Sequence, residues 1–212
     1  MSRSPIVFIV SAPSGTGKTA ALERLLAETA GLRFSVSHTT RAPRKGETDG
    51  VQYHFVTHER FDELVRAGGF LEWAEVHGER YGTTRDECER AQREDLDLLL
   101  DVDVQGAALV RQAAPGCVSV FLLPPSRAVL EARLRGRGAD PEAAIHRRLD
   151  GARREVARWP EYDYIIVNRD LGECVESLKA IVGAARCRRE RREAAAREVA
   201  ATFEFELERE TK

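Results

Sequence analysis

Three things are missing from this 212-residue chain, and each absence removes a class of function. The four cysteines, Cys88, Cys117, Cys174 and Cys187, form no C-x-x-C pair and have no histidine at ligand spacing. That argues against a zinc site or a disulfide framework and points to a reducing, cytoplasmic setting. An excess of one charge is also missing. With 33 basic and 35 acidic residues the net charge is -2, so no global field advertises nucleic acid or an anionic membrane, and neither is expected as a partner. Nor is there a long hydrophobic run. The first apolar stretch, residues 6–10, is too short to span a bilayer and runs directly into a glycine-bearing turn, so it reads as neither signal peptide nor anchor. The chain carries no internal repeat and no low-complexity linker. Its length suits one domain, or one domain with small inserted subdomains.

The chain is organised around residues 11–19, S-A-P-S-G-T-G-K-T, which an apolar run (Ile6, Val7, Phe8, Ile9, Val10) precedes and a helical pattern (Ala20, Ala21, Leu22, Leu25, Leu26) follows. Strand, glycine-bearing turn and helix in that order make a phosphate cradle. Backbone N–H groups of Ser11, Ala12, Pro13, Ser14, Gly15, Thr16 and Gly17 (all but the proline) can wrap a phosphate at the positive end of a helix. Lys18 then reaches the outer phosphates, and the Thr19 hydroxyl is placed to face a magnesium ion. Ala12 stands where the strict phosphate-loop pattern has its first glycine, so the backbone there must do without positive φ.

Beyond the first helix, residues 34–39 read as a short strand, followed by a loop that gathers Arg41, Arg44 and Lys45 around Pro43. Another strand is expected over 53–56 and a helix over 57–67. Residues 70–76 alternate Leu71, Trp73, Ala74 and Val76 with Glu72 and Glu75, which predicts a strand with its acidic groups on one face. Thr84 and Glu87 have capping-box spacing and open a helix running to about Arg93. This β-rich block reads as an insertion that carries a substrate. Two arginines beside a proline, with Tyr53 and Tyr81 later in the same block, make a second anion site, because arginine forks grip phosphate oxygens and a tyrosine hydroxyl adds a neutral donor.

The α/β pattern then resumes. Residues 96–102 form a nearly continuous apolar run ending in Asp101, Val102 and Asp103, and carboxylates at the carboxyl end of a buried strand lie where open α/β sheets bind ligands. Further strands are expected at 118–123 and 164–167, with a helix over 171–182 after the last. Between them lies a basic, glycine-broken hinge (Arg133, Arg135, Gly136, Arg137, Gly138) and an arginine-bearing helix from Pro141. From Arg186 the chain is a charged helix, and the alternating Phe203, Phe205 and Leu207 suggest an edge strand or partner-binding arm, or equally a frayed tail. Strands alternating with helices around a phosphate loop imply an α/β fold of the P-loop NTPase type, a mostly parallel sheet with helices on both faces and ATP as its occupant.

The motifs S-A-P-S-G-T-G-K-T, V-S-H-T-T-R-A-P-R, F-L-E-W-A-E-V, Y-G-T, L-L-D-V-D-V-Q-G, G-R-G and I-V-N, in order over residues 5–185, resemble guanylate kinase of the bacterial type. The resemblance implies transfer of the ATP γ-phosphate to GMP with Mg2+ as cofactor. It implies a core (5–33, 94–135 and 156–185), a GMP-binding subdomain (34–93) and a helical lid (136–155), with 186–212 left as a charged helix and tail. Carried over residue by residue, Ser37, Glu72, Thr83 and Asp103 would read guanine, and Arg41, Arg44, Tyr53 and Tyr81 would hold the GMP phosphate. Arg133, Arg137 and Arg148 would serve the triphosphate beside Lys18, Asn168 would lie beside the adenine, and Asp101 would sit near the magnesium with Thr19. Arg169 replaces the first Asp of the family's I-V-N-D-D stretch, which bears only on adenine-side contacts. Two other readings stand beside this one: a guanylate-kinase-like module that binds a phosphorylated peptide without catalysis, which the intact Lys18 opposes, and a kinase for another small phosphate, which would have no need of Glu72 with Asp103. The oligomeric state is left open.

Overall fold

The computed structural model describes residues 4–76, 78–136 and 141–210, with 204–210 described by backbone alone. The buried run β1 (Val7–Ser11) enters the phosphate turn, and α1 (Lys18–Glu28) leaves it. β2 (Leu32–Phe34) follows at one edge of a five-stranded sheet, completed by β7 (Asp97–Asp101), β8 (Val118–Leu123) and β9 (Tyr164–Val167) in the order β2-β7-β1-β8-β9. Every pairing is parallel, which requires crossover connections and explains why the strands are apolar on both faces. One face is covered by α1 and α7 (Leu171–Arg186), which contribute Leu22, Leu25, Val175 and Leu178 to the core. The other is covered by α3 (Arg85–Arg93) and α4 (Val104–Ala113), through Ala91, Ala107 and Val110.

Between β2 and β7 the chain builds a second, four-stranded sheet from β3 (His38–Thr39), β4 (His54–Phe55), β5 (Phe70–Val76) and β6 (Glu79–Thr84), in the order β4-β3-β6-β5. α2 (His58–Arg66), capped by Thr57, seats Phe61 on it in a stack 4.5 Å from Phe70. The stretch expected as one strand over 34–39 is therefore two, in different sheets, with residues 35–37 as the crossing between them. The expected acidic face of β5 is also overturned. Glu72 and Glu75 are three apart, and a period-two strand sends them to opposite sides, so Glu72 is buried while Glu75 and Trp73 face outward. Nor does a capping box form at α3, since the Thr84 side chain accepts no bond and Glu87 is buried instead.

α5 (Arg127–Gly136) and α6 (Glu142–Val156) pack together through Leu130, Leu134, Ile145 and Leu149. Past α7 the backbone stays helical as α8 (Arg189–Glu210), so the strand-like alternation of Phe203, Phe205 and Leu207 does not make an edge strand. Among the described residues no helix is long and apolar enough to cross a membrane.

Candidate functional site

The carboxyl ends of β1 and β7 are adjacent, with Val10 in register with Asp101, and the strand order reverses around β1. Ligands of open α/β sheets bind at such a point. The turn after β1 is held open in a cradle by Gly15 (φ 91°) and Gly17 (φ 97°), whose left-handed conformations a residue with a Cβ would resist, while Ala12 keeps a negative φ. Ser11 Oγ donates to the Val102 carbonyl at 2.8 Å, tying the two strand ends together. Lys18 opens α1 and pairs with Asp101, and Thr19 beside it is exposed on the first turn.

The back of the turn is built by groups distant in sequence. Asn168, buried after β9, donates Nδ2 to the Thr16 carbonyl at 2.8 Å. Arg133 donates to that same carbonyl at 3.0 Å and to the Asn168 carbonyl at 3.1 Å. These two residues with Gly15, Gly17 and Leu171 line an open cavity of about 380 Å³. Arg133 is thus bonded to the backbone of the turn and of the residue that follows β9.

A second cavity, about 300 Å³, lies between the two sheets. The core contributes Lys18, Asp101 and Asp103; the inserted sheet and its loop contribute Arg41, Arg44, Tyr53, Glu72 and Tyr81. Tyr53 and Tyr81 meet edge to face at 5.8 Å, and the Arg41 guanidinium lies 5.4 Å from the Tyr53 ring centroid. Burial raises the Tyr53 phenol above its ordinary value, so it stays a neutral donor. Asp103 caps α4, accepting from the amides of Gln105 (3.1 Å) and Gly106 (2.8 Å) through Oδ1. Glu72 accepts the Thr83 amide at 3.1 Å. Burial pushes the Glu72 carboxyl up to about 7, with the Asp103 charge adding to the rise and hydrogen bonding to Thr83 opposing it.

Of the other expected site residues, Thr83 is buried on β6 against Glu72, and Ser37 lies in the crossing segment with its carbonyl accepting from His54. Neither lines the cavity surface. Arg148 lies exposed on α6, away from both cavities, and Arg137 lies outside the described residues. Two residues of the site had not been singled out from the sequence. Glu47 accepts from Arg41 at 2.9 Å and from the Arg44 amide at 2.7 Å, holding the arginine loop closed on itself. Its spacing from Arg44, three residues within one loop, was the available signal. Gly106 is the other: a Cβ there would stand 3.3 Å from Glu72 Oε2 and 3.4 Å from Asp103 Oδ1, so the missing side chain lets the two carboxylates approach.

With this geometry in hand, comparison with known proteins is decisive. The sequence model of guanylate kinase matches residues 3–185. The chain belongs to the guanylate kinase family. It is 50% identical over 191 residues to guanylate kinase of Syntrophotalea carbinolica, covering 90% of this chain and 91% of that protein. Against guanylate kinase of Neisseria meningitidis serogroup A it is 50% identical over 185 residues, 87% of this chain and 90% of the relative. Among solved structures, guanylate kinase from Anaplasma phagocytophilum superposes with a TM-score of 0.72 at 33% identity, covering 87% and 88% of the two chains. In this guanylate kinase family member the matched segment stops at the end of α7, so α8 lies beyond the family pattern.

Proposed function

We propose that this chain is a guanylate kinase that transfers the γ-phosphate of ATP to GMP, giving ADP and GDP, in the cytoplasm. The observation that carries the reading is a cavity between the sheets lined both by cations and phenols suited to a phosphate (Lys18, Arg41, Arg44, Tyr53, Tyr81) and by two carboxylates (Glu72, Asp103). Guanine presents N1–H and an exocyclic amine side by side, two donors that carboxylates accept, whereas adenine offers a lone pair at N1. In this reading Glu72 and Asp103 read the base with the hydroxyls of Ser37 and Thr83, and the arginines and tyrosines hold the GMP phosphate.

The donor nucleotide lies along the turn of residues 11–19, with its phosphates under the backbone N–H groups and Lys18 on the outer ones. Its adenine side faces Asn168, and Arg133 keeps the turn rigid from behind. Arg148 and Arg137, the latter outside the described residues, would reach the phosphates if 136–155 closes over them as a lid. Residues 5–33, 94–135 and 156–185 then serve as core and 34–93 as the acceptor-binding subdomain.

A magnesium ion fits the oxygen donors present. Thr19 offers an exposed hydroxyl on the first turn of α1, Asp101 a half-exposed carboxylate, and no group of three or more His, Cys, Asp or Glu among the described residues forms a cage of its own. Thr19 and Asp101 would hold such an ion together with the nucleotide, and it would supply neutralisation of the phosphate charge. The protein's own work is alignment: phosphoryl transfer needs the acceptor oxygen in line with the γ-phosphorus, and closure that keeps water from competing.

The test is acceptor selection. With ATP, kcat/KM for GMP should exceed that for AMP by roughly 10⁴ or more, since sites built to hydrogen-bond a group reject analogues lacking it. No turnover with GMP would leave a binding module, and comparable use of a sugar phosphate would leave a different small-molecule kinase.

A further inference from the structure

The inserted sheet carries Glu72 and Thr83, the core carries Lys18 and Asp103, and the reaction proposed above needs the two halves at a set angle. The chain crosses between them twice, outward at residues 35–37 and back where β6 ends at Thr84 and α3, which lies on the core sheet, begins at Arg85. The outward crossing leaves the core sheet at Ser35, whose amide donates to the Leu99 carbonyl at 2.9 Å. On β2, just before it, Arg33 reaches over to α3, the helix that receives the returning chain. Its Nη1 donates to Glu94 Oε2 at 2.8 Å, and its Nη2 lies 3.3 Å from Glu87 Oε2. Glu87 Oε2 in turn accepts the Val36 amide, in the outward crossing, at 3.4 Å. Glu87, three residues past the return crossing, therefore bonds the outward crossing directly and Arg33, just before that crossing, on its other side.

Stability alone is a poor account of this arrangement. The Glu87 side chain is only 3% exposed and that of Arg33 18%, and taking such charges out of water cancels much of their attraction, so an apolar pair would hold α3 against the sheet equally well. What a hydrogen-bonded ion pair adds is direction, because a fork between two carboxylates and an amide can be satisfied at few relative angles of the segments. Neither residue lines the cavities where the nucleotides are placed.

We propose that Arg33 and Glu87 form a hinge clamp that fixes the acceptor-binding sheet relative to the phosphate-loop core, making both positioning residues for phosphoryl transfer to GMP. This rests on the guanylate kinase reading, and the two fail separately. Absence of GMP turnover in the unaltered protein removes the reading itself. The clamp is tested in an active protein with R33M, E87Q, the double variant and R33K, assayed well below their melting temperatures. R33M and E87Q should raise KM for GMP about three- to thirtyfold, the range by which residues along a coupling network act, while KM for ATP stays within about twofold. The double variant should be no worse than the worse single, since both remove one unit, and R33K, which keeps the charge and one donor, should recover part of the loss. A KM for GMP within about twofold of the unaltered protein in both singles, even with lowered melting temperatures, overturns the clamp and leaves a structural ion pair. If R33M does not fold, E94Q removes the solvent-facing arm of the same clamp and is read by the same criterion.

Discussion

Glu72 is poised at its midpoint near neutral pH, and binding of GMP should move it. In the free protein its carboxyl is 7% exposed and burial raises it to about 7, so at pH 7 about half the molecules carry it protonated. Two guanine donors favour the carboxylate, so in the complex its pKa should return to the ordinary value near 4.5 or below. The linkage follows directly. GMP binds the ionised form, and the fraction ionised falls about tenfold between pH 8 and pH 6, so affinity should weaken about tenfold over that window through Glu72 alone. About half a proton should leave the protein per GMP bound at pH 7. The GMP phosphate titrates in the same region and adds its own slope, which E72Q separates, since glutamine keeps the Thr83 amide contact but does not titrate. The assay is calorimetry of GMP binding from pH 6 to 8 in buffers of different ionisation enthalpy, on both proteins. Equal pH slopes and equal proton release in the unaltered protein and E72Q would refute the assignment of Glu72 as base reader. Stability moves the opposite way. A folded pKa raised above the unfolded value of about 4.5 means that ionising Glu72 costs the native state about 3 kcal/mol by the time pH exceeds 7. The stability of the unaltered protein should therefore fall more between pH 5 and pH 8 than that of E72Q.

Lys18→Met removes the charge that the loop aims at the outer phosphates and should lower kcat by about a thousandfold with the fold intact by circular dichroism; retention of more than about a tenth of kcat would count against the role. Gly106→Ala places a Cβ 3.3 Å from Glu72 Oε2 and from Val102 Cβ, so it should raise KM for GMP and leave KM for ATP unchanged, which steady-state kinetics with each nucleotide varied will check. Arg133→Ala leaves the Thr16 and Asn168 carbonyls without their guanidinium donor; unfolding in denaturant should show a loss of about 1–3 kcal/mol together with a raised KM for ATP. Adding GMP and an ATP analogue together should compact the protein in small-angle scattering if 136–155 closes as a lid; an unchanged radius of gyration speaks against closure.

Local chemistry was legible where a single stretch of chain decides it. Apolar runs long enough for a buried strand set β1, β8 and β9, glycines at two positions of the turn permit the left-handed φ it needs, and Lys18 and Thr19 follow from their place at the start of a helix. The family motifs likewise lie within short stretches, so the chain's membership could be read before any coordinates. Contacts between distant stretches were not legible. Asp97, inside the apolar run of β7, is fully buried, accepting from the Ile6 amide and pairing with Arg186, because β7 lies between β2 and β1. Glu72 and Glu75 were read as sharing a face, but three positions apart on a strand they point to opposite sides, and the burial of Glu72 is what moves it to neutral pH. Glu87 carried a helix-cap spacing but was drawn inward by Arg33, a residue 54 positions away. The phosphate loop and most elements of the core follow from residues a few positions apart, whereas the break of 34–39 into two strands depends on the sheets each part joins. Which carboxylates are buried, paired or open to a base follows from desolvation and ion pairing, and these depend on neighbours that the chain brings together by folding.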